Sequence, residues 1–324
     1  METLEEALYF ELQSRCSFVP FTQSEGWYNY LIAQGRKIVF FADSVVEPNI
    51  ICFGYEQKLP FVKKKILRLE GECFLNKVEH SIITSFYKKM GELPYLGIEL
   101  NSNNEYFVDF EIGLRRAGFI RPLASFSCPL TIEVNLISEL NFKRNWQRNY
   151  KKSVKAGSTF IEHSNITERE VSMFINMFDE MSKLKGLKYS LDVDAISKLV
   201  TSRTIRMFSV FDQSGTPLAS RIIHVHGTTG NDVFAANSLR ARENGATFFL
   251  MQNLFDTLKR EGCESFDFGR IAPSNHATDS VFLFKSETRG KNIQYNGEWC
   301  LYKSKIYELG LFGYKLWKLK KQRY

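Results

Sequence analysis

Residues 264–299, ESFDFGRIAPSNHATDSVFLFKSETRGKNIQYNGEW, carry the pattern that decides the fold of this chain. They predict a buried strand over 265–268 that stops at Gly269, a polar loop, a short apolar segment, and a last strand that closes on 297–298. A strand that stops at glycine can turn at positive φ or let a ligand approach its backbone closely. The end of this strand is therefore a candidate binding site.

Lys285 stands in the apolar segment, VFLFK (281–285). Burial of a lysine without a partner costs several kcal/mol or removes its proton, so a buried Lys285 would indicate an anion beside it. The alternative is a side chain that reaches the surface from the end of a strand. The residues alone leave both interpretations open.

The residues before this stretch predict three consecutive strands over 205–211, 217–226 and 233–237, joined by short turns and therefore antiparallel. A long helix over 246–261 follows and ends at Gly262. Antiparallel strands, a glycine-containing loop, a helix and a parallel strand are the order of a GNAT acyltransferase core. The loop RENGAT (242–247) resembles the GNAT segment whose backbone N–H groups hold a pyrophosphate, which makes Arg242 and Gly245 candidate phosphate ligands.

The first part of the chain alternates predicted helices and strands. Helices are expected at 23–35, 79–90 and 107–117, and strands at 36–42, 49–55, 66–69 and 96–100. With 324 residues, the chain has room for two domains. We place the first domain at 1–135 and the second at 136–300, with 301–324 packing back on the first.

Basic residues are concentrated in two segments. The predicted helix at 141–157 has six Lys or Arg residues and no acid, and an apolar stripe of Phe142, Trp146, Tyr150 and Val154. Its cations, among them Arg148, Lys151 and Lys152, are candidates for binding RNA or other phosphates, whereas the alternative is a solvated linker helix. The tail GYKLWKLKKQRY (313–324) is the second basic segment.

Several segments resemble the Fem family, the peptidoglycan bridge aminoacyltransferases, which are built as two GNAT domains in one chain. The resemblance lies in FTQSEGWYNYL (21–31), TIEVNL (131–136) with the basic helix after it, DFGRI (267–271), FLFK (282–285) and YNGEW (295–299). The chain departs from the family pattern at Arg270, where a second glycine is expected, and at 288–290, where the family has Phe-Gly-Gly. The resemblance implies an α+β fold of two tandem GNAT-like domains, with mixed sheets flanked by helices.

The resemblance also implies an activity and its partners. We expect transfer of an amino acid from an aminoacyl-tRNA to an amine of a nucleotide- or lipid-linked cell-wall precursor, with no tightly bound cofactor. One alternative is a GNAT N-acyltransferase that uses acyl-CoA or acyl carrier protein on an amino sugar of envelope polysaccharide. Another is a non-catalytic GNAT pair that binds RNA or a membrane surface.

Acyl transfer to an amine needs an uncharged amine, a positioned carbonyl and a donor for the developing oxyanion. Lys285 is the candidate for that donor, or for holding a donor phosphate. Arg221, in the strand PLASRII (217–223), is a candidate anchor for an acceptor phosphate, unless its partner is a structural carboxylate. The other candidate substrate-binding residues are Asn237, Ser238, Asp267 (a base, or a hydrogen-bond acceptor in its own loop), Gly269, Arg270 and Phe284.

Other chemistries have little support in the sequence. His224 and His226 lack nearby Cys ligands or a clear carboxylate, so we expect packing and no metal site. No GxSxG, Walker or Rossmann glycine pattern occurs. The six cysteines contain no CxxC pair, which favours buried thiols. We expect a cytoplasmic protein that can contact the inner face of the membrane, because no apolar run is long enough to span it.

Overall fold

The computed structural model describes residues 1–59, 64–123, 127–186, 190–273 and 280–322. Residues 274–279 of the predicted polar loop and the last two residues of the basic tail lie outside the described residues. The elements up to residue 135 are β1 (Glu2–Leu4), α1 (Glu6–Gln13), α2 (Glu25–Ala33), β2 (Lys37–Ala42), β3 (Ile50–Lys58), β4 (Lys65–Leu69), β5 (Cys73–Phe74), α3 (His80–Gly91), β6 (Gly97–Glu105), α4 (Val108–Arg116) and β7 (Leu130–Asn135). Those that follow are α5 (Arg144–Lys155), β8 (Thr159–Glu162), α6 (Glu168–Lys185), α7 (Val193–Leu199), β9 (Ile205–Phe211), β10 (Pro217–His226), β11 (Thr229–Asn237), α8 (Leu239–Asn244), α9 (Ala246–Arg260), β12 (Ser265–Asp267), α10 (Ser280–Ser286), β13 (Lys291–Tyr302) and α11 (Lys305–Gln322).

Unit 1 comprises residues 1–23, 35–129 and 294–324. Its sheet has the strand order β1-β2-β3-β4-β6-β13, with β5 also paired to β3. Strands β4 and β6 are parallel, and the other neighbours are antiparallel. The apolar positions of α3 and α4, such as Phe86 and Phe110, recur at helical spacing and pack with Trp299 in one core.

Unit 2 comprises residues 24–34 and 130–293. Its sheet has the order β7-β12-β11-β10-β9-β8, in which only the β11–β12 pair is parallel. The predicted antiparallel strands, long helix and parallel strand are thus confirmed, as is the α+β class. The parallel pairing ends at Asn231 and Asp267, and Gly269 then turns at φ +70°, as expected.

The helix α2 was expected in the first domain but belongs to unit 2. The predicted helix is present, but its residues pack in unit 2. The Glu25 carboxylate accepts a hydrogen bond from Ser202 Oγ at 3.0 Å, and the stacked rings of Trp27 and Tyr30 lie beside Phe234. These partners are 177 to 207 residues away in sequence, so no local pattern reports them. The boundary between the units falls at 129/130 where 135/136 was predicted, and residues 294–300, predicted for the second domain, belong to unit 1.

The short apolar segment that carries Lys285 forms the helix α10, and Phe284, Lys285 and Thr288 lie toward the interior of unit 2. A run of four consecutive apolar residues such as VFLF fits a buried strand or a helix, so the sequence assigned it to neither. One local expectation is corrected. In the basic helix, Phe142, Trp146 and Tyr150 pack inward as predicted, but Val154 is 49% exposed and Ser153 is buried instead.

The C-terminal helix α11 lies against unit 1. Its residues Tyr307 and Leu311 pack on a small cluster of Leu59, Ile66 and Leu96. The Lys315 Nζ atom lies 2.7 Å from a carboxylate oxygen of Glu99 on β6. One face of the helix is therefore attached to the unit by apolar and ionic contacts.

Candidate active site

Lys285 lies inside unit 2, with 8% of its surface exposed. The helix α10 directs its ammonium to the end of β12, where Nζ donates a hydrogen bond of 2.6 Å to the Phe268 carbonyl oxygen. The same nitrogen lies 5.6 Å from the centre of the Phe268 ring. The alternative of a side chain that reaches bulk solvent is therefore wrong for this residue.

An ammonium has three N–H donors, and buried donors are normally all paired. Among the described residues, only the Phe268 carbonyl oxygen accepts from Lys285. Desolvation lowers the pKa of Lys285, the Asp232 charge opposes that shift, and the Arg221 charge adds to it. Within the described part of the chain, Lys285 is thus a desolvated cation with N–H donors left for a bound group.

Arg221 and Asp232 form a buried ion pair beside Lys285. The Arg221 Nη1 atom lies 2.5 Å from Asp232 Oδ2, and the two side chains are 7% and 8% exposed. The second carboxylate oxygen, Asp232 Oδ1, is buried without a hydrogen-bond partner among the described residues. The structural carboxylate that was the alternative for Arg221 therefore exists, and a ligand would have to compete with it or bind beside it.

Asp267 is engaged in its own loop. Its Oδ1 atom accepts from the Thr131 hydroxyl at 2.5 Å and from the Gly269 N–H at 2.7 Å. Thr131 also donates to the Gly269 carbonyl oxygen at 2.9 Å. These bonds fix the turn that presents the Phe268 carbonyl oxygen to Lys285. Arg270, which follows this turn, is half-buried.

An aromatic cluster supports α10 from one side. The Phe284 ring stacks on Trp146 of α5 with centroids 4.9 Å apart and meets Phe248 edge-on at 5.0 Å. Phe268 lies 6.2 Å from Phe284, and the guanidinium of Arg221 lies 6.0 Å from the same ring. The structure thus brings Arg221, Phe268, Phe284 and Lys285 together, with Asp232 as a further neighbour.

Asn237 and Ser238, proposed from the sequence to contact the acceptor, have structural partners. The Asn237 side-chain oxygen accepts from Thr247 Oγ1 at 2.8 Å, and the Ser238 hydroxyl accepts from the Ala241 N–H as the N-cap of α8. These contacts join β11 to α8 and α9.

The loop at Gly245 does not have the open form of a phosphate cradle. Gly245 is buried, and its N–H donates to the Ala241 carbonyl oxygen at the end of α8. A Cβ placed on Gly245 would lie 2.3 Å from the Asn149 carbonyl oxygen, so α5 packs directly on this glycine. The glycine is needed for the close approach of two helices.

Cations other than Lys285 also gather in unit 2. Arg242 is exposed on α8, and Lys185 ends α6 close enough to it that desolvation, then the charges of Arg242 and Arg221, lower the pKa of Lys185. Arg148, Lys151 and Lys152 of α5 are exposed. The other cations of the predicted basic helix, Lys143, Arg144 and Lys155, are exposed as well. None of these six forms an ion pair with a described residue.

Asp232 and Thr131 are the residues that sequence reasoning missed. Asp232 pairs with Arg221 across the β10–β11 hairpin, where the register shifts by one residue after Ile222. Hairpin pairing could have suggested a contact near Arg221, but the bulge makes the facing residue unpredictable. Thr131 reaches Asp267 because β7 and β12 are antiparallel neighbours 136 residues apart. No local signal marks that pairing.

His224 and His226 stack with ring centroids 6.3 Å apart. Burial lowers the pKa of His224 to about 3, and neither of its ring nitrogens has a partner among the described residues. Within the part of the chain that the structure describes, no three His, Cys, Asp or Glu side chains are grouped to hold a metal ion. No described helix has the length and apolar character to cross a membrane.

Several solved structures have the same fold as this chain over most of its length. FemX aligns with a TM-score of 0.79 and 12% sequence identity, over 95% of this chain and 99% of that chain. The C-terminal domain of a putative lysylphosphatidylglycerol synthetase from Agrobacterium fabrum aligns with a TM-score of 0.60 and 14% identity, over 94% and 96% of the two chains. A tandem GNAT protein from the clavulanic acid biosynthesis pathway aligns with a TM-score of 0.53 and 9% identity, over 85% and 88%.

This chain has a Fem-like tandem GNAT fold. The resemblance read from short motifs in the sequence is thereby confirmed at the level of the fold. No family model and no curated protein matches the sequence. In unit 2 of this chain, Lys285 lies at the point where the parallel pairing of β11 with β12 ends.

Proposed function

We propose that this chain is an acyltransferase that moves an amino acid from an aminoacyl-tRNA to an amine of a peptidoglycan precursor. The observation that carries the proposal is Lys285, a buried cation at a strand end of a Fem-like fold, which among the described residues donates only to the Phe268 carbonyl oxygen. Such a group is poorly explained by stability alone, because an unsatisfied buried charge is destabilising. A substrate that brings negative charge would satisfy it.

The reaction would proceed by attack of the acceptor amine on the ester carbonyl of the aminoacyl-tRNA. The new C–N bond forms, the C–O bond to the ribose breaks, and the proton lost by the amine is gained by the ribose oxygen. Negative charge develops on the carbonyl oxygen in the transition state, and the N–H donors of Lys285 would stabilise it. The rigid contacts of Lys285 and Phe268 mean that little reorganisation is needed as the charge appears.

Arg221 and Asp232 would act through Lys285. The Asp232 charge raises the pKa of Lys285 against the effect of desolvation and so helps to keep the ammonium form. Arg221 holds Asp232 in place and compensates its burial. We assign both as positioning residues, with the unpaired Asp232 Oδ1 available to a substrate N–H.

The geometry at Gly245 favours tRNA over acyl-CoA as the donor. A GNAT enzyme that uses acyl-CoA binds the pyrophosphate on open backbone N–H groups before the helix that corresponds to α9. In this chain, the Gly245 N–H closes α8 and the Asn149 carbonyl oxygen covers the glycine. Asn149 belongs to α5, and the exposed cations of α5 offer a surface for the phosphates of tRNA.

The test is to incubate the purified chain with tRNA charged with each common amino acid and with nucleotide- or lipid-linked muropeptides. The expected product is a muropeptide heavier by one amino-acid residue. Phosphatidylglycerol vesicles form a second acceptor arm, because one protein of similar fold is named as a putative lysylphosphatidylglycerol synthetase. Acetyl-CoA with amino sugars forms a third arm.

Each arm of the experiment tests a different acceptor or donor. Product only in the lipid arm or only in the acetyl-CoA arm would overturn the acceptor or the donor that we propose, while keeping an acyltransferase. No product in any arm, together with salt-dependent tRNA binding that is equal in the wild type and in Lys285→Ala, would indicate the non-catalytic alternative.

A further inference from the structure

The helix α11 has apolar residues on the face that points away from unit 1. Ile306 is 81% exposed, Leu309 is 60% exposed and Trp317 is 53% exposed, and Leu316 and Tyr314 are also exposed. The helical spacing of 306, 309, 313, 316 and 317 puts these positions on one side, with glycine at 313. Tyr307, Glu308, Leu311 and Lys315 occupy the opposite side, which is attached to unit 1.

This arrangement is the reverse of an ordinary surface helix. A surface helix normally turns its apolar stripe to the core and its charges to water. In α11 the only acid, Glu308, is 8% exposed and lies 3.4 Å from Lys305, while large apolar side chains face outward. Contiguous exposed apolar surface of this kind marks an interaction site.

Cations precede and follow the outward-facing residues in the sequence. Lys303 and Lys305 are exposed at the start of the helix, and the sequence continues after Trp317 with Lys318, Lys320, Lys321 and Arg323. No exposed acid lies on the described part of this helix. A partner complementary to this face would therefore offer a flat apolar layer bordered by negative charges.

We propose that the outward face of α11 binds the surface of an anionic lipid bilayer, with Ile306, Leu309 and Trp317 in the interfacial layer. Apolar side chains on one face flanked by Lys and Arg are the pattern of helices that lie in this layer, and tryptophan is favoured there. A second copy of this chain is a poorer occupant. A two-fold interface would place the same cations opposite each other, and they would repel.

The experiment measures co-sedimentation of the full chain with vesicles of phosphatidylglycerol and phosphatidylcholine mixed equally, and with pure phosphatidylcholine. We expect at least about tenfold stronger binding to the anionic vesicles, weakened by salt. The triple variant Ile306→Ser, Leu309→Ser, Trp317→Ser should lose about tenfold or more of this binding. The fluorescence of Trp317 should shift to the blue on binding, and Trp317→Phe should remove that shift.

The matched control is Val46→Ser with Ile137→Ser, because these residues are 88% and 66% exposed but lie outside α11. Control binding should equal that of the wild type. Equal binding of the triple variant would overturn the proposal, as would a lack of preference for anionic vesicles. Concentration-dependent dimers that the triple variant abolishes, with no vesicle binding, would assign the face to a second copy instead. Circular dichroism checks that the variants fold.

Discussion

At the scale of single residues, the buried Lys285 is the feature that the sequence identified and the structure explains. An apolar run around a lysine left burial and a surface position both open, and the structure decides for burial, with 8% of the residue exposed. Its contacts could not be predicted, because the Phe268 carbonyl oxygen and Asp232 come from other strands. The chemistry of the site was thus visible in one residue type, and its geometry was not.

Replacement of this lysine tests the proposed role directly. Lys285→Ala should lower the rate of aminoacyl transfer by about a hundredfold or more, because one preorganised donor to an oxyanion typically contributes that much. The measurement is the initial rate with charged tRNA and muropeptide, with thermal unfolding as the check on folding. Lys198→Ala, which removes an exposed lysine of α7, is the matched control and should retain the wild-type rate. A rate for Lys285→Ala within threefold of that control would remove the residue from the site.

Glu72 of unit 1 is a second buried ionisable residue, remote from the Lys285 site in sequence. It is fully buried, accepts hydrogen bonds from Ser102 Oγ at 2.6 Å and Asn104 Nδ2 at 2.7 Å, and is reached by the Tyr87 hydroxyl at 3.4 Å. Burial raises its pKa from 4.5 to about 7 against these hydrogen bonds. The folded state therefore binds the proton more tightly than the unfolded state.

The sign of the effect follows from that difference. Stability from protonated Glu72 is fully present below pH 4.5 and is lost as pH rises through about 7. Glu72→Gln should therefore raise the free energy of unfolding by about 1–3 kcal/mol at pH 8, and by little at pH 5. Urea unfolding at the two pH values measures this. The opposite order, with the larger gain at pH 5, would show that Glu72 is ionised in the fold without cost.

At the scale of elements, α5 combines an apolar side that packs in unit 2 with a side whose cations form no ion pair with any described residue. The apolar side was predictable from the spacing of Phe142, Trp146 and Tyr150. The prediction erred only at Val154, one position from the buried Ser153, near the helix end where periodicity no longer decides. Regular elements of this kind are the part of the fold that a sequence predicts best.

The cations of α5 should control the affinity for tRNA. Lys151→Ala with Lys152→Ala should weaken tRNA binding about tenfold near physiological salt and should reduce the slope of log affinity against log salt by about 1–2. Titration of labelled tRNA at several salt concentrations measures both quantities. The control variant, Lys198→Ala with Arg203→Ala, removes two exposed charges elsewhere in unit 2. If both double variants shift the slope equally, the binding is a general effect of net charge.

The helix α10 shows why other elements were harder to predict. A seven-residue segment with four consecutive apolar side chains fits a buried strand as well as a helix. The choice is made by tertiary contacts: as a helix, the segment stacks Phe284 on Trp146 and brings Lys285 to the Phe268 carbonyl oxygen. Contacts between distant parts of the chain therefore decided a local conformation.

At the scale of the whole molecule, the tandem fold was predictable and the path of the chain through it was not. The order of strands and helices in unit 2 follows from turns and periodicity. The membership of α2 in unit 2 depends on side-chain partners such as Ser202 and Phe234, which short-range patterns do not contain. The order of motifs identified the fold even though each motif was weak.

Stability of the whole chain should respond to pH through one buried group in each unit, with opposite signs. His224 of unit 2 has a folded pKa near 3, below its usual 6.5, so the stability from its neutral form is present above pH 6.5 and is lost as pH falls. At pH 5 that loss amounts to about 2 kcal/mol, while Glu72 gains a similar amount over the same range. The wild-type urea midpoint should change little between pH 6.5 and pH 5.

Variants that remove one of the two groups should show the opposite pH dependences of stability separately. His224→Leu should become more stable as pH falls from 6.5 to 5, and Glu72→Gln should become less stable. Urea midpoints at pH 5, 5.8 and 6.5 for both variants and for their combination provide the measurement. Parallel behaviour of the two single variants would contradict the assignment of these groups.

The stack of Trp146 between α5 and α10 has a mechanical consequence. The indole touches Phe142 at 4.7 Å on one side and Phe284 at 4.9 Å on the other, in a close-packed interior. If tRNA bound to the cations of α5 displaces this helix, the displacement is transmitted through Trp146 to the Phe284 ring beside Lys285. Under the proposed function, a substitution of Trp146 is therefore expected to change both the affinity for tRNA and the rate of transfer at Lys285.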